Sequence, residues 1–316
     1  MTSPGDTATH SKVQSLSEAI ARNVHDGNTI SIEGMSHLIP FAAGHEIIRQ
    51  RRRGLTLCRM TPDLLSDQLI AAGCVDKLVS SFFASGSAGS LYEIRRRVED
   101  HDPAPLEVEE YTHYGLVCRY HAGAARLPFM PLRSYTGSDM PKLTPAIRSV
   151  VDPYTGSSTY VVPPLNPDVT IVHAQRADRR GNVQMWGILG AQQEAVYAAD
   201  RAIVLVEEIV DDEVIQADPN RTILPAHAVT AVVLAPGGAH PSYAQGFYDR
   251  DGRFYREWTA TSQDPAKLRA WLTEWVLELD GPAAYGAKLG ADRWQELAVG
   301  ENLSGRVNYG RRLEDS

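Results

Sequence analysis

The strongest constraint on the fold is an alternation of amphipathic helical segments with short apolar runs. Val13 to Val24 places apolar side chains at helical spacing, and Asp26-Gly27-Asn28 is a stop signal before the β-branched run Thr29 to Ile32. Four further segments are alternately helical and extended: 42–52, 55–60, 62–72 and 77–82. Such alternation with short loops is typical of βαβ units on a mostly parallel sheet.

The later strands are predicted to be buried on both faces. Their sequences are short, β-branched and almost continuously apolar over 169–173, 202–206 and 230–234. Between the early and the late strands we expect a strand over 106–109, a helix over 112–125 and an apolar run over 127–132. A late amphipathic helix is predicted over 265–279. The predicted class is therefore α/β.

The chain has no long linker, so its 316 residues are predicted to form one domain over 1–316. Residues 137–158 are rich in Ser, Thr, Pro and Gly, which favours either a long active-site loop or the boundary of a lobe. Residues 291–316 are interpreted as a C-terminal extension. The 25 Gly and 19 Pro are scattered, as expected for many short elements joined by shaped loops.

Composition excludes several classes of partner. The net charge of -8, from 31 basic and 39 acidic residues, argues against a surface that binds nucleic acid. No apolar run approaches the ~18 residues of a membrane span, and residues 1–27 show no cationic start followed by an apolar core, so we expect neither membrane insertion nor secretion. The three cysteines, Cys58, Cys74 and Cys118, form no CxxC pair and no even disulfide framework. We therefore expect a reducing, cytoplasmic location.

Loop 33–40 follows the first predicted strand and is the first candidate binding segment. A loop at the carboxyl end of a strand in an open α/β sheet usually borders the ligand crevice. Its backbone N–H groups could receive a phosphate or a developing oxyanion. It has one glycine, Gly34, and not the three of a dinucleotide-binding motif. The alternative is an ordinary connection between strand and helix.

Loop 83–90 is the second candidate and also follows a predicted strand. Ser85, Gly86 and Ser87 combine hydroxyl donors with a backbone that a ligand can approach closely. The loop lacks the Gly-Lys-Ser/Thr end of a P-loop, so nucleotide hydrolysis is weakly supported. The alternative here is a flexible loop without a ligand.

Metal binding and serine hydrolysis are not favoured by the motifs. No two of the ten histidines form an HExxH-type pair, and His113, His173 and His240 lie in separate predicted elements. We therefore expect no metal. Acidic pairs such as Glu109-Glu110 are more often solvated than catalytic. A Gly-x-Ser-x-Gly nucleophile motif is also missing from the sequence.

A distinctive pattern runs from Pro167 to Asp178 and continues through Gly181-Asn182 to Trp186-Gly187. Further distinctive segments are 235–242, 246–249, 207–213 and 127–131. Together these segments resemble the alpha subunit (the A component) of family I coenzyme A transferases, in particular the glutaconate CoA-transferase branch. The matches run in order from about Val13 to about Gly290, so the resemblance covers nearly the whole chain.

This resemblance implies a three-layer α/β/α sandwich with a mostly parallel sheet, and a heteromeric enzyme whose active site lies between two similarly folded subunits. In the family, the beta subunit supplies a glutamate that attacks the acyl-CoA and becomes a glutamyl-CoA thioester. The only Glu-Gly pair here, Glu33-Gly34, matches the family's Gly-Gly-aromatic position instead. The resemblance therefore places no catalytic nucleophile in this chain.

The expected contribution of this chain is a wall of the pocket. The substrate-binding candidates are Glu33, Gly34, Ser36, His37, Ser85, Gly86, Ser87, Glu110, Ser134, Ser138 and Gln175. Glu33 departs from the family because it replaces the first of two glycines. A buried Glu33 facing a carboxylate substrate would repel it unless the carboxyl group is protonated or paired; the alternative is an exposed loop glutamate.

Two other functions stay open at this point. Related hydrolases open a ring in a steroid-derived CoA thioester and use acidic residues near the position of His113, which makes His113 a candidate general base. The alternative for His113 is a packing or hydrogen-bonding residue. A non-catalytic binding or regulatory subunit is the other open function. The expected partners are the beta subunit, an acyl-CoA and a small carboxylic acid, with coenzyme A as substrate and a heterotetramer or larger assembly.

Overall fold

The computed structural model describes residues 11–83 and 89–300. Within these ranges the strands are β1 (Thr29–Ile32), β2 (Leu55–Arg59), β3 (Val75–Ser80), β4 (Glu107–Glu110), β5 (Met130–Leu132), β6 (Arg148–Val151), β7 (Ser158–Val162), β8 (Val169–Asp178), β9 (Val183–Gln184), β10 (Arg201–Val210), β11 (Thr222–Leu224) and β12 (Ala231–Leu234). The helices are α1 (Leu16–Asn23), α2 (Phe41–Arg49), α3 (Leu64–Ala71), α4 (Tyr92–Arg95), α5 (His113–Ala124), α6 (Met140–Leu143), α7 (Gln192–Ala198), α8 (Asp212–Ala217), α9 (Gly252–Gln263), α10 (Pro265–Leu272), α11 (Pro282–Leu289) and α12 (Ala291–Leu297).

The main sheet is mostly parallel, as predicted. Seven strands lie in the order β12-β10-β8-β1-β2-β3-β4, and every neighbouring pair among them is parallel. The short strand β9 pairs antiparallel with the last residues of β8, beyond the end of β1, and β11 pairs antiparallel with β9. From β1 the chain first builds β2 to β4 on one side and then β8, β10 and β12 on the other. The space between β1 and β8 is therefore a topological switch point.

Helices cover both faces of this sheet and give three layers. On one face, Ile30, Leu57 and Ile171 pack into a core shared with α1, α2, α3, α9 and α10. On the other face, Cys58 and Val79 pack with α5 and α7. The inner strands β1, β2, β8 and β10 are buried on both sides because side chains alternate along a strand, whereas the edge strand β4 has no buried residue. This burial explains why the strand sequences are nearly continuous in hydrophobicity.

The two central strands β8 and β10 are longer than the sequence predicts. Each has ten residues, and they pair in parallel from Val169 opposite Arg201 to Asp178 opposite Val210. Their last residues are charged or polar at several positions, so the apolar pattern ends before the strand does. The last residues of β8 remain in a strand because Arg176 and Ala177 pair with β9 on one side and with β10 on the other.

A small antiparallel sheet with the order β5-β7-β6 forms a lobe beside the main sheet. Residues 137–158 contribute α6 and β6 to the region of this lobe. Leu132, Tyr135 and Val162 pack against Leu116 and Tyr120 of α5. The lobe therefore packs against α5, the helix that begins at His113.

The described helices are short, the longest being α5 and α9 with twelve residues each. None of the helices in the described ranges is long and apolar enough to cross a bilayer. The three cysteines are buried and unpaired. Of the C-terminal extension predicted over 291–316, the first residues form α12, and residues 301–316 lie outside the described residues.

Candidate functional site

The candidate site lies at the carboxyl edge of the main sheet, beside the switch point between β1 and β8. The loops that leave β1, β2 and β3 here carry Ser36, Thr61 and Ser81, respectively. Glu110 ends β4, and His113 begins α5 shortly after it. Parallel strands bring these loops to one edge because all their carboxyl ends point the same way.

Loop 33–40 is folded back on itself after β1. A Cβ atom on Gly34 would lie 2.7 Å from the carbonyl oxygen of Leu38, so the close approach of the two backbone segments requires glycine. Ser36 and Leu38 have φ values of 59° and 53°, in the left-handed region. Met35 and Ser36 are exposed at the tip, whereas the three residues after them are buried.

Glu33 points into the protein, beneath this loop. Its side chain is 2% exposed, and its Oε1 accepts hydrogen bonds from the backbone N–H of Met60 (3.0 Å) and from the hydroxyl of Tyr120 (2.9 Å). Burial raises the pKa of Glu33 to about 7, against the lowering influence of the Arg59 guanidinium and the Tyr120 hydroxyl. The carboxyl group is therefore paired and turned away from the opening.

His37 is also buried and makes two hydrogen bonds within the chain. Its Nδ1–H donates to the carbonyl of Ile188 (2.8 Å), and its Nε2 accepts from the backbone N–H of Gln245 (3.1 Å). Burial lowers the pKa of His37 to about 4, so the ring is neutral at pH 7. His37 thereby connects the loops that contain Ile188 and Gln245.

Gln175 is fully buried in β8, and its side-chain amide makes two hydrogen bonds with the backbone of Trp186. Its Nε2 donates to the Trp186 carbonyl (2.8 Å), and its Oε1 accepts from the Trp186 N–H (3.2 Å). Gln175 and His37 thus hold the loops around the opening through hydrogen bonds inside the chain.

His113 joins the loops after β2 and β3. The Ser81 hydroxyl donates to the Met60 carbonyl (2.7 Å), so Ser81 Oγ is left to accept from His113 Nδ1 (3.2 Å). His113 Nε2 then carries the lone pair and accepts from the Thr61 hydroxyl (3.2 Å). Nε2 is therefore the ring atom through which His113 could act as a base, and the ring is only partly buried.

Glu110 lies exposed at the end of β4, at the rim of a cleft of ≈390 Å³. Phe83, Val98 and Leu143 give this cleft apolar walls, and Thr144 donates its hydroxyl to the Glu110 carbonyl (2.8 Å). The His113 ring contacts Phe82 edge-on, and Phe82 precedes Phe83 of the cleft wall in the chain. Of the candidates, Glu110 has the carboxylate that solvent can reach.

Ser134 and Ser138 are exposed on the turn between β5 and α6. Ser138 donates its hydroxyl to the Tyr135 carbonyl (3.2 Å), and the Tyr135 hydroxyl lies 3.4 Å from Thr112 Oγ1 at the start of α5. This turn is therefore anchored near His113. Ser85, Gly86 and Ser87 lie outside the described residues.

Four contributors to the site were not among the sequence candidates: Arg59, Thr61, Ser81 and Tyr120. Thr61 follows a predicted strand, so its position at the carboxyl edge was a signal that could have found it. Arg59 is a charged residue that ends an otherwise apolar strand and is 1% exposed. Tyr120 lies in the middle of α5, and nothing in the sequence relates it to Glu33.

A second buried polar cluster joins β8, β10 and the loops after β12. The Glu207 carboxylate lies 2.6 Å from His173 Nε2 and accepts from the Tyr248 hydroxyl (2.7 Å) and the Gly237 N–H (2.7 Å). All of these contacts are internal, so the cluster braces the loops behind the opening. In the described ranges, no group of three or more His, Cys, Asp or Glu residues is arranged to hold a metal ion.

Comparisons with known proteins point to one family. The coenzyme A transferase family model matches residues 13–235. The A subunit of 3-oxoadipate CoA-transferase from Pseudomonas knackmussii is 49% identical over 274 residues, which cover 87% of this chain and 96% of that protein. The crystal structure of glutaconate coenzyme A-transferase from Acidaminococcus fermentans superposes with a TM-score of 0.85 at 33% identity, covering 92% of this chain and 96% of that one.

A relative of a different reaction class is similar over slightly less of the chain. It is the IpdA subunit of a cholesterol ring-cleaving hydrolase from Rhodococcus jostii. This protein is 31% identical over 269 residues, which cover 81% of this chain and 88% of the hydrolase component.

Proposed function

The chain belongs to the coenzyme A transferase family, and from this premise we propose that it is the alpha subunit of a heteromeric CoA-transferase. The enzyme moves CoA between an acyl-CoA and a carboxylic acid. The observation that carries the proposal is the 49% identity to the A subunit of 3-oxoadipate CoA-transferase, over 96% of the length of that protein. No metal is needed for this reaction, and coenzyme A takes part as a substrate.

The nucleophile is proposed to be a glutamate of the partner, the beta subunit. Its carboxylate oxygen adds to the thioester carbon, and CoA leaves as a thiolate to give a mixed anhydride. The thiolate then attacks the glutamyl carbonyl, releases the first acid and leaves a glutamyl-CoA thioester. The inward orientation of Glu33 supports this assignment, since Glu33 is hydrogen-bonded beneath its loop and turned away from the opening.

The proposed acid substrate is a dicarboxylic acid. The two transferases to which the chain is similar are named for 3-oxoadipate and glutaconate, and both of these acids carry two carboxylates. On this chain, Ser36, Glu110, Ser134 and Ser138 are the exposed candidates at the carboxyl edge for contacts with substrate. We propose further that a heterotetramer or larger assembly closes the site. The buried, unpaired cysteines support a reducing, cytoplasmic location.

The test is to assay the chain alone and in complex with its beta subunit. We expect acyl transfer to a dicarboxylic acid only from the complex. Borohydride reduction or hydroxylamine cleavage, followed by mass spectrometry, should locate the glutamyl-CoA adduct on the beta subunit. Full-rate transfer by the isolated chain would show that the nucleophile assignment is wrong.

The other two functions predict different results in the same assay. Thioester loss or ring opening without any adduct would favour a hydrolase. A complex that binds no acyl-CoA would favour a regulatory role.

A further inference from the structure

A cleft of ≈350 Å³ lies in the outer helical layer, at the edge of the sheet opposite the candidate site. Its walls come from the last residues of α2 and α3 and from α10 with the turn after it. Helices α2 and α3 each follow a parallel strand, so they end at the amino edge, where the next strand begins. The apolar part of the wall consists of Ile48, Ala71, Ala72, Leu272 and Leu277. The cleft is therefore separate from the carboxyl edge, where we propose that acyl transfer takes place.

Three arginines line this cleft, and their charges are not neutralised within the chain. Arg51, Arg53 and Arg269 are exposed, and no acidic residue is among the described residues of the wall. In the part of the chain that the structure describes, none of the three guanidiniums forms an ion pair. Asp26 accepts from the backbone N–H of Arg53 (2.9 Å) and not from its guanidinium. Three like charges around one cleft repel each other, and an anion between them lowers that repulsion.

Capping of helix ends accounts for only one of these arginines. Cations stabilise the carboxyl ends of helices, because the last carbonyls and the helix dipole are negative there. The Arg53 guanidinium does this at the end of α3, where it donates to the carbonyl of Ala72 (2.9 Å). The guanidiniums of Arg51 and Arg269 make no hydrogen bond to any group within residues 11–83 and 89–300. Their N–H groups are therefore available to a ligand in the cleft.

The backbone of Arg51 is in a conformation that favours glycine. Its φ is 54°, in the left-handed region, where the Cβ of other residues is crowded. The Arg51 N–H donates to the Ile48 carbonyl (2.9 Å) and the Arg52 N–H to the Ile47 carbonyl (3.2 Å), which is the Schellman arrangement at the end of α2. Glycine is the usual residue at this position. An arginine here costs the fold some stability, which indicates that its side chain has a purpose outside the fold.

The charges and the wall of the cleft favour an organic phosphate as the ligand. A guanidinium presents paired N–H groups that match two oxygens of a phosphate. A phosphate monoester carries a charge of about -1.5 to -2 at pH 7, so one or two phosphate groups neutralise the three arginines. A monocarboxylate would leave most of the positive charge in place. The apolar wall suits a non-ionic part of the ligand, and ≈350 Å³ is within the usual range of small-molecule sites.

We propose that this cleft binds the diphosphate of a nucleotide, with Arg51 and Arg269 donating to the phosphate oxygens. Arg53 adds the third positive charge, and the nucleoside part packs against Leu272 and Leu277. The same chemistry is present in a free nucleoside diphosphate and in the nucleotide end of coenzyme A. Because the cleft lies at the amino edge, this inference goes beyond the proposed transferase function and does not rest on it.

Isothermal titration calorimetry of the full chain with ADP, coenzyme A and pantetheine tests the ligand class. We expect ADP and coenzyme A to bind, and pantetheine, which has no phosphate, not to bind. The affinity for ADP should fall at least ~5-fold when NaCl is raised from about 50 mM to about 300 mM, because salt screens exposed charges. Tighter binding of coenzyme A than of ADP would identify coenzyme A as the source of the diphosphate, and the reverse order would identify a free nucleotide.

Arg51→Gly separates the role of this side chain in binding from its role in the fold. We expect the variant to bind ADP at least ~10-fold more weakly, since it loses a charge-assisted hydrogen bond. The same variant should have a higher midpoint of urea unfolding, because glycine suits the left-handed position at the end of α2. An arginine with only a structural role would not combine weaker binding with a more stable fold.

Arg269→Gln is the second variant, and Arg253→Gln is its matched control. Arg269 is in α10 and lines the cleft, whereas Arg253 is an exposed arginine of α9 outside it, 3.5 Å from Glu257. Both variants remove the same charge from the surface. We expect Arg269→Gln to weaken ADP binding at least ~10-fold and Arg253→Gln to leave it within about twofold of wild type.

Three results would overturn the inference. One is a wild-type chain that binds neither ADP nor coenzyme A at about 1 mM. Another is an unchanged affinity for ADP in Arg51→Gly or Arg269→Gln, because the nucleotide would then occupy a different site. The last is binding of pantetheine as tight as that of coenzyme A, since phosphate would then contribute nothing.

Discussion

Glu33 and His37 lie four residues apart in one loop, yet both turn their side chains into the protein. Glu33 binds Tyr120 and the Met60 N–H, and His37 binds the backbone of two other loops. Their sequence neighbour Ser36 is exposed. At the scale of residues, the loop therefore divides into side chains that support it and a tip that faces solvent.

Replacement of Glu33 by Gln is expected to change how stability depends on pH. The pKa of Glu33 rises from 4.5 to about 7 on folding, so its contribution to stability is complete below pH 4.5 and is lost as pH rises through 7. Glu33→Gln removes this loss. The free energy of unfolding of the variant, relative to that of wild type, should therefore increase by about 2 kcal/mol as the pH rises from 5 to 8.

Urea unfolding at pH 5, 6, 7 and 8 measures this difference. Glu46→Gln is the control, since Glu46 is another buried carboxylate and pairs with Arg49. A constant difference between Glu33→Gln and wild type across the pH range would contradict the prediction.

Replacement of His113 by Ala distinguishes a transferase from a hydrolase. The attacking carboxylate of a transferase needs no general base, so we expect kcat to fall less than about tenfold. A general base would contribute ~10²-fold or more. Thr61→Val is the matched variant because it removes the hydrogen bond to Nε2 and keeps the ring. A loss of ~10²-fold in His113→Ala alone would favour the hydrolase.

At the scale of elements, the first turn of α5 packs closely against the turn that follows β5. Thr112 caps the helix by accepting from the Gly115 N–H (3.0 Å). The Tyr135 hydroxyl lies over the same turn, 3.4 Å from Thr112 Oγ1. This contact places the turn with Ser134 and Ser138 beside His113.

Gly115→Ala is expected to destabilise the protein although alanine is the better helix former. An added Cβ would lie 1.8 Å from the Tyr135 hydroxyl oxygen, so the tyrosine and its turn must move. We expect a loss of roughly 1–3 kcal/mol in the free energy of unfolding. The control is Gly286→Ala in α11, where the nearest atom would be 3.6 Å away. The free energy of unfolding of Gly286→Ala should increase by up to ~1 kcal/mol. Equal changes for the two variants in urea unfolding would refute the packing argument.

At the scale of the whole molecule, one carboxylate joins the C-terminal helices to the loop after β12. Asp251 accepts from His240 Nε2 (3.0 Å) and from Arg293 Nε (2.8 Å), and it caps α9 through the Phe254 N–H (2.7 Å). Burial by itself would raise the pKa of Asp251, but the hydrogen bonds from His240 and Arg293 outweigh it and hold that pKa well below its usual value. The helices of the outer layer are thereby fixed to the sheet.

Asp251→Asn is expected to cost roughly 3 kcal/mol at pH 7, because it leaves Arg293 without its buried partner. Since the folded pKa is depressed, the stabilisation by Asp251 is present above the unfolded pKa near 3.8 and is lost as pH falls below it. The difference in the free energy of unfolding between variant and wild type should therefore become smaller below pH 4. Urea unfolding at pH 7, 5 and 3.5 tests this, with Asp264→Asn at the partly exposed N-cap of α10 as a control that should lose less stability.

The sequence by itself determined the α/β class, the parallel sheet and most of the elements, because the period of hydrophobic residues depends only on which neighbours share a face. It predicted β1 at the bounds the structure has, and helices within a few residues of α2, α3 and α5. The ordered family segments indicated the reaction class for the same reason, since they are local patterns.

The tertiary structure alone decided which polar side chains face the opening and which support it. Glu33 meets Tyr120 across 87 residues, and His37 meets Gln245 across 208. Such partners are brought together by strand order and helix packing, and no local pattern encodes them. The inward Glu33 and the buried Arg59 between two loops are consequences of that long-range packing.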